Sequence, residues 1–283
     1  IKDADKNGKK KKSPTVQRIV TGLLSVSSNG GAEVVGLDGL TMRGDHEVYG
    51  VMAESTDDLS AELLKVTSPS AELTAAVTDY AGRLVRFPDA NPYDVAASGN
   101  RQWVVDAGAN TVVEVRKHKG TIEQRVLAYI PNTPLSDAVP TCIARKGNYL
   151  YVGTLAFADN FGGGTPVSKV YRISTKANPA NFLCNATEWA TGFNPITACG
   201  FGPHGFYVVE WATAPAYTTG AVVRVSVNKD GTAGARETFG TKLVHPGGFV
   251  AEGNSIYVTN YSDMVGAVDA STPGGQVVRF KIK

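Results

Sequence analysis

Hydrophobic and polar residues alternate along most of the chain in short runs that are separated by Gly, Asn and Asp. The clearest example is WVVDAGANTVVEV, residues 103–115, in which an apolar run, a turn of small and polar residues and an alternating run follow one another. This pattern is typical of two antiparallel strands joined by a tight turn. Because no connecting segment has the spacing of a long amphipathic helix, the pattern favours an all-β fold over an α/β barrel.

The hairpin recurs about every 50 residues, which is the length of one blade in a β-propeller. The repeats align when these second-strand residues are taken as equivalent: Tyr49, Val104, Tyr151, Tyr207 and Tyr257. Each follows an apolar strand and a glycine-containing turn, since glycine tolerates the positive φ of such turns. The third strands share a charged residue before their last apolar position, which is predicted to be solvated or at a blade edge: Lys65, Glu114, Arg172, Arg224 and Arg279.

A fourth strand follows four of the five repeats, so the sequence predicts one β-propeller domain, residues 15–283, with five visible four-stranded blades. The fifth repeat ends at Lys283 without a fourth strand. Residues 15–24, TVQRIVTGLL, are expected to supply that strand and close the ring, because closure removes an exposed sheet edge. If this N-terminal strand pairs with another copy instead, the chain is expected to self-assemble.

Several segments resemble the ScyD/ScyE family of secreted propellers, within the NHL and strictosidine-synthase-like class. They are NPYDVAASGNRQWVVDAGANTVVEV (91–115), PTCIARKGNYLYVGTL (140–155), KVYRI (169–173), FGPHGFYVVE (201–210) and GGQVVRF (274–280). The resemblance implies a six-bladed propeller that is secreted, extracellular or periplasmic, and it implies no particular reaction. The family has a further unit before the segment that matches TVQRIVTGL, and this unit has no counterpart in the chain.

Charge is distributed unevenly along the sequence, although the net charge is only +2. Residues 1–14 contain six Lys and two Asp and are expected to form a charged flexible segment. No basic patch is evident in the remaining sequence, so no nucleic-acid partner is predicted. The stretch DADKNG, residues 3–8, matches only half of a calcium loop, because Pro14 stands where a Glu ligand is needed. No apolar run is long enough for a transmembrane helix.

The three cysteines, Cys142, Cys184 and Cys199, allow one intramolecular disulfide and lack the spacing of zinc ligands. Cys184 and Cys199 are nearest in sequence, but their spacing leaves the pairing open. Asn185 and Asn260 each begin an N-glycosylation sequon, which matters only in a secreted eukaryotic product.

Binding residues are expected on the face formed by the loops that enter the first strands and join the second and third strands. A rigid ring holds these variable loops around a central pocket. The candidates on this loop face are Tyr93, Asp94, Asp106, Asn110, Glu210, Trp211, His245 and Asn260. Asp106 and Asn110 also suit a turn in which they bond their own backbone. The longest loops, 154–169, 210–220 and 260–276, carry aromatic residues that either contact a glycan or protein partner or pack over the ring.

Three functions remain compatible with these patterns. The sequence has no recognisable nucleophile–base pair or cofactor fingerprint, which favours an exported, non-catalytic propeller of the cell surface or extracellular matrix without a cofactor. One alternative is a metal-dependent lactonase or esterase-like hydrolase, in which Asp94, Asp106, Glu210 and Asn260 surround one divalent cation. The other alternative is a subunit of an extracellular filament or larger assembly.

Overall fold

Five antiparallel sheets follow one another along the chain and surround a common channel, which confirms the predicted β-propeller. The computed structural model describes residues 20, 21, 23, 26–28, 33–44, 47–53, 62–66, 71–76, 90–163, 165–262 and 275–283. Blades 1 to 4 contain four strands each, and blade 5 contains three within the described residues. The first strands of all five blades line one cavity in the channel.

The strands have the following bounds. They are β1 (Val26–Ser28), β2 (Glu33–Val35), β3 (Leu37–Arg43), β4 (Glu47–Met52), β5 (Glu62–Val66), β6 (Ala71–Ala76), β7 (Pro92–Ser98), β8 (Arg101–Asp106), β9 (Thr111–His118), β10 (Thr121–Tyr129), β11 (Pro140–Lys146), β12 (Tyr149–Thr154), β13 (Ser168–Ser174), β14 (Thr187–Phe193), β15 (Ile196–Gly202), β16 (Gly205–Glu210), β17 (Gly220–Val227), β18 (Ala233–Leu243), β19 (Phe249–Glu252), β20 (Ser255–Asn260) and β21 (Gln276–Lys281). Strands β1 and β2 pair as a separate hairpin, and the five blades begin at β3, β7, β11, β15 and β19. A short helix, α1 (Phe157–Gly163), and a 3₁₀ helix (Pro179–Cys184) lie in blade 3 connections.

Each blade places an aromatic residue on its second strand opposite a charged residue on its third strand. The pairs are Tyr49 and Lys65, Trp103 and Glu114, Tyr151 and Arg172, Tyr207 and Arg224, and Tyr257 and Arg279. Trp103, and not Val104, is therefore the blade 2 equivalent of the tyrosines. The sequence alignment was wrong by one residue here, because the run WVV does not alternate and both positions are apolar.

Glu114 does not occupy the solvated position that its sequence pattern predicted. It is fully buried, and its carboxylate accepts hydrogen bonds from Trp103 Nε1 at 3.2 Å and Arg125 Nη2 at 3.0 Å. Arg101 Nη1 lies 3.8 Å from Glu114 Oε2. A buried carboxylate is tolerated only when it is paired and hydrogen-bonded, so these three neighbours explain why blade 2 carries an acid here.

Adjacent blades are joined through their first strands around the channel. Thr141 Oγ1 of blade 3 donates to the Ile196 carbonyl at 2.5 Å, and Thr197 Oγ1 of blade 4 donates to the Pro246 carbonyl at 2.8 Å. A disulfide between Cys142 and Cys199 connects β11 and β15 covalently. It settles the pairing that the spacing left open and leaves Cys184 as an exposed thiol.

Ring closure by residues 15–24 remains a prediction, because only Val20, Thr21 and Leu23 of this segment are described and none of them lies in a strand. The charged segment 1–14 also lies outside the described residues. Strand β21 is more exposed than the third strands of blades 2 to 4, and Val277 is 63% exposed. It is the strand to which the predicted closing segment would add. None of the helices in the described ranges is long and apolar enough to cross a membrane.

Candidate binding face

The structure places all eight candidate residues on the predicted loop face, but it does not gather them at one point. They come from blades 2, 4 and 5 and from the connections that enter those blades. They form three groups with different roles: residues that fasten strand ends, residues of an aromatic cluster, and residues that line the channel mouth.

Asp106, Glu210 and Asn260 occupy the same position in three blades, at the end of the second strand. Each is almost fully buried and accepts a hydrogen bond from a backbone N–H of the connection into the first strand of its own blade. The donors are Asn91, Asn194 and Val244, at 2.9, 2.9 and 2.6 Å. These side chains therefore fasten the loop-face ends of blades 2, 4 and 5. Burial raises the pKa of Glu210, and hydrogen bonds from Asn194 partly oppose that rise.

Asn110 fastens the turn between β8 and β9 to the connection that enters blade 3. Its backbone is in the left-handed region with a φ of 54°, which asparagine adopts more readily than most residues. Its Oδ1 accepts a hydrogen bond from the Val139 N–H at 2.9 Å, and its Nδ2 donates to Asn132 Oδ1 at 2.9 Å. The side chain therefore links two blades.

The residues of the hydrolase alternative are not arranged around one ion. Asp106, Glu210 and Asn260 are bonded within their own blades, and Asp94 accepts hydrogen bonds from the N–H groups of Val95 at 2.8 Å and Ile143 at 2.9 Å. Over the part of the chain that the structure describes, no three His, Cys, Asp or Glu side chains are close enough to hold a metal. This arrangement gives the divalent-cation hypothesis no support.

Five rings from three neighbouring connections pack together on the loop face. This aromatic cluster consists of Phe157, Phe161, Trp211, Tyr217 and His245. Ring centroids are 4.3 Å apart for Phe157 and Phe161 and 4.4 Å apart for Phe161 and Tyr217. His245 stacks on Trp211 at 4.1 Å. Loops 154–169 and 210–220 thus do pack on one another, whereas most of loop 260–276 lies outside the described residues. Phe157 nevertheless remains 46% exposed.

Buried polar side chains hold α1, and with it the two phenylalanines, in a fixed position. Asn160 Oδ1 accepts from the Val167 N–H at 3.0 Å, and its Nδ2 donates to Ser168 Oγ at 2.7 Å. From blade 4, the Tyr217 hydroxyl donates to the Asn160 carbonyl at 2.6 Å. The cluster is therefore anchored to blades 3 and 4 at once.

Asp159 anchors the other side of α1 to the connection between blades 2 and 3. Its carboxylate accepts hydrogen bonds from the Thr133 hydroxyl, from Ser136 Oγ at 2.9 Å and from the Leu135 N–H at 3.1 Å. The hydroxyl of Thr133, followed by that of Ser136, lowers the pKa of Asp159. Sequence reasoning missed Asp159 and Asn160, because polar residues in a loop resemble ordinary turn residues when their partners are distant in sequence.

Tyr93 and Asp94 lie at the channel mouth and are not part of the aromatic cluster. They line a cavity of about 360 Å³ together with Asp38 of blade 1 and the first-strand residues Thr141 and Thr197. Burial raises the pKa of Asp94 to about 7, and the Ile143 and Val95 N–H groups only partly offset this. Asp94 is thus a carboxyl group that titrates near neutral pH.

The two glycosylation sequons lie where their amide groups already have structural partners. Asn185 Nδ2 donates to the carbonyls of Leu127 at 2.7 Å and Asn178 at 2.9 Å. Asn260 is buried, and its Nδ2 donates to Gln276 Oε1 at 3.3 Å. A glycan is attached at the side-chain Nδ2 of asparagine. In the folded chain, the Nδ2 groups of Asn185 and Asn260 already donate hydrogen bonds to other residues of the protein.

No protein-family model matches the sequence, and a comparison with curated proteins finds no match. Solved structures share the fold at low identity. A chain in the crystal structure of a nidogen/laminin complex is 13% identical to this chain, with a TM-score of 0.55. The match covers 89% of this chain and 81% of that chain.

Two similar structures are described as sugar dehydrogenases. A putative glucose dehydrogenase from Thermus thermophilus is 13% identical, with a TM-score of 0.54 and coverage of 93% of this chain and 91% of its own. The PQQ-bound aldose sugar dehydrogenase from Streptomyces coelicolor is 10% identical, with a TM-score of 0.51 and coverage of 92% and 91%. At such identities the likeness shows the propeller fold alone, since one fold hosts many functions.

Proposed function

We propose that this chain is an exported, non-catalytic propeller of the cell surface or extracellular matrix that binds a glycan or protein partner through its aromatic cluster. The observation that carries the proposal is that Phe157 is exposed on a helix fixed by Asp159 and Asn160. Fixing a binding group in advance lowers the entropy cost of association. Clustered aromatic side chains are frequent among the residues that dominate binding energy.

Two further observations support an exported, non-catalytic role. The acidic and amide candidates Asp106, Glu210 and Asn260 are engaged in structural hydrogen bonds. The disulfide between Cys142 and Cys199 fits a protein of an oxidising compartment, such as the extracellular space or the periplasm. The sequence resemblance to the ScyD/ScyE family supports the same location. We propose that the chain belongs to this family.

The aromatic cluster can be tested with isolated cell-surface material from the source organism. We expect the wild-type protein to co-sediment with this material and Phe157→Ala to bind at least about ten-fold more weakly, as for a typical hot-spot truncation. Leu183→Ala is the matched control, because Leu183 is exposed on a different connection of blade 3. Equal binding by Phe157→Ala and the wild type would show that the cluster is not the binding site.

The hydrolase alternative makes a different prediction. Aryl ester and lactone hydrolysis is measured with Ca²⁺, Mn²⁺ or Zn²⁺ added to the purified chain. We expect no turnover above that of the Asp94→Asn/Glu210→Gln double variant. Metal-dependent turnover by the wild type that is absent from this double variant would contradict the binding proposal and support the hydrolase alternative.

The assembly alternative depends on the exposed strand β21, to which residues 15–24 of the same chain or of another copy can add. Light scattering coupled to size exclusion separates the two cases. We expect a monomer, because a segment of the same chain is present at high effective concentration. Concentration-dependent oligomers that disappear when residues 1–24 are deleted would support the filament subunit instead.

A further inference from the structure

The two faces of the ring differ in charge in the described residues. The described loops of the loop face carry the exposed Asp137 and the buried Asp159 and no Lys or Arg, and the exposed Lys242 lies at the end of the adjoining strand β18. The opposite face, called the turn face, consists of the turns between first and second strands and between third and fourth strands. Its exposed cations are Lys117, Lys119, Arg145, Lys146, Lys176, Lys229, Lys281 and Lys283. The exposed acids there include Asp230 and Glu252, so the turn face is basic.

Part of this charge forms a continuous basic band across blades 2, 3 and 4. Asn100 Nδ2 donates to the Lys117 carbonyl at 3.3 Å, and the next residue, Arg101, donates to the Thr175 carbonyl at 3.3 Å. Thr175 adjoins Lys176, and its N–H donates to the Asn148 carbonyl at 2.9 Å. These contacts bring Lys117 and Lys176 from different blades onto one strip of surface.

The band continues from blade 3 into blade 4. Arg172 lies over the ring of Tyr149 at 4.9 Å, and its Nη1 donates to the Gly231 carbonyl at 3.0 Å. Gly231 shares a tight turn with Lys229. Tyr149 is 42% exposed and begins β12 of blade 3, the middle one of the three blades. The basic band is therefore defined by Arg101, Lys117, Tyr149, Arg172, Lys176 and Lys229.

Its lysines are available to a ligand. Lys117, Lys176 and Lys229 are exposed, and within the described ranges none of them forms a salt bridge. Nearby Glu123 is paired with Arg116 and His118 instead. Asp230 stays charged, since hydrogen bonds from Thr232 lower its pKa, and it reduces the positive potential only at one end. Unpaired lysines on one strip create a field that attracts polyanions.

We infer that the basic band binds a linear acidic polysaccharide. A strip that crosses three blades matches an extended chain with regularly spaced negative charges. The exposed ring of Tyr149 offers an apolar surface for a sugar within that strip. Single-stranded nucleic acid is less well matched, because its recognition uses several aromatic side chains on which successive bases stack. The disulfide also fits a compartment in which such polysaccharides occur.

The test uses alginate, a linear carboxylated polysaccharide, immobilised for binding measurements at 50 to 200 mM salt. We expect Lys176→Ala to weaken binding about five-fold, which corresponds to roughly 1 kcal/mol for one lysine near an anionic surface. The triple variant Lys117→Ala/Lys176→Ala/Lys229→Ala should lose on the order of 100-fold, with a smaller dependence on salt. The matched control is Lys242→Ala, because Lys242 is exposed at the loop-face end of β18. Circular dichroism confirms that each variant is folded.

Other outcomes overturn the inference. An equal loss in Lys176→Ala and Lys242→Ala would show an effect of net charge instead of a site, and no binding to alginate would exclude the polysaccharide. Tighter binding to single-stranded DNA or to vesicles of anionic phospholipid would assign the band to those ligands. Because Phe157 lies between β12 and β13 on the loop face, opposite the basic band, Phe157→Ala should leave alginate binding unchanged whether or not the aromatic cluster binds a partner.

Discussion

Replacement of both half-cystines, in Cys142→Ala/Cys199→Ala, is expected to lower the free energy of unfolding by about 4 kcal/mol. The disulfide closes a loop with a sequence separation of 57 residues, and its loss restores conformational entropy to the unfolded chain. Its position adds to the effect, because it joins the first strands of blades 3 and 4 beside the channel. Denaturant titrations of the wild type and the double variant measure the difference.

The control for this prediction is Cys184→Ala, which should change the free energy of unfolding by less than about 0.5 kcal/mol, because Cys184 is an exposed thiol. A reducing agent should destabilise the wild type and Cys184→Ala equally and leave the double variant unaffected. If the reducing agent leaves the wild type as stable as before, the two half-cystines are not bonded in the protein, and blades 3 and 4 are joined by packing and by hydrogen bonds such as that from Thr141 to Ile196.

The fold was predictable from sequence because each blade repeats the same local pattern. Alternating apolar residues and glycine-containing turns are local signals, and both recur at the spacing of one blade. The error at Trp103 shows the limit of such signals. A continuous apolar run does not reveal which face of the strand each residue occupies, whereas the pairing of Trp103 with Glu114 does.

The candidate site was predictable only as a face of the ring. Loop positions follow from strand order, so all eight candidates lie on that face. Which of them are structural depends on partners far away in sequence, as when Asp159 accepts hydrogen bonds from Thr133 and Leu135. No local pattern encodes such contacts.

The basic band was missed for a related reason. Lys117, Lys176 and Lys229 are more than 50 positions apart in sequence, so the chain shows no run of positive charge outside its first residues. Each lies in or next to the connection between the third and fourth strands of its blade, and the ring brings these connections to one face. The absence of a basic run in the sequence therefore does not exclude a basic strip on the surface of the folded chain. In a repeat protein, surface charge has to be compared at equivalent positions of the repeats.

Asp94 is expected to make the protein less stable as pH rises from 5 to 8. Burial raises its pKa to about 7 from a value of 3.8 in the unfolded chain, so the folded state binds the proton more tightly. Stability from this group is fully present below the unfolded pKa and is lost as pH rises through the folded pKa. These values correspond to a loss of roughly 2 to 3 kcal/mol between pH 5 and pH 8.

The comparison with Asp94→Asn isolates this effect, because Asp38, whose pKa is also raised to about 7 by burial, is present in both proteins. The amide oxygen of Asn can accept only part of the hydrogen bonding from Val95 and Ile143, so we expect the variant to be less stable at pH 5. At pH 8 the variant should match or exceed the wild type, since no charge is then buried. Asp137→Asn, at an exposed carboxyl, should follow the wild-type profile. Parallel profiles for Asp94→Asn and the wild type would show that Asp94 is ionised throughout this range and that the channel mouth is well hydrated.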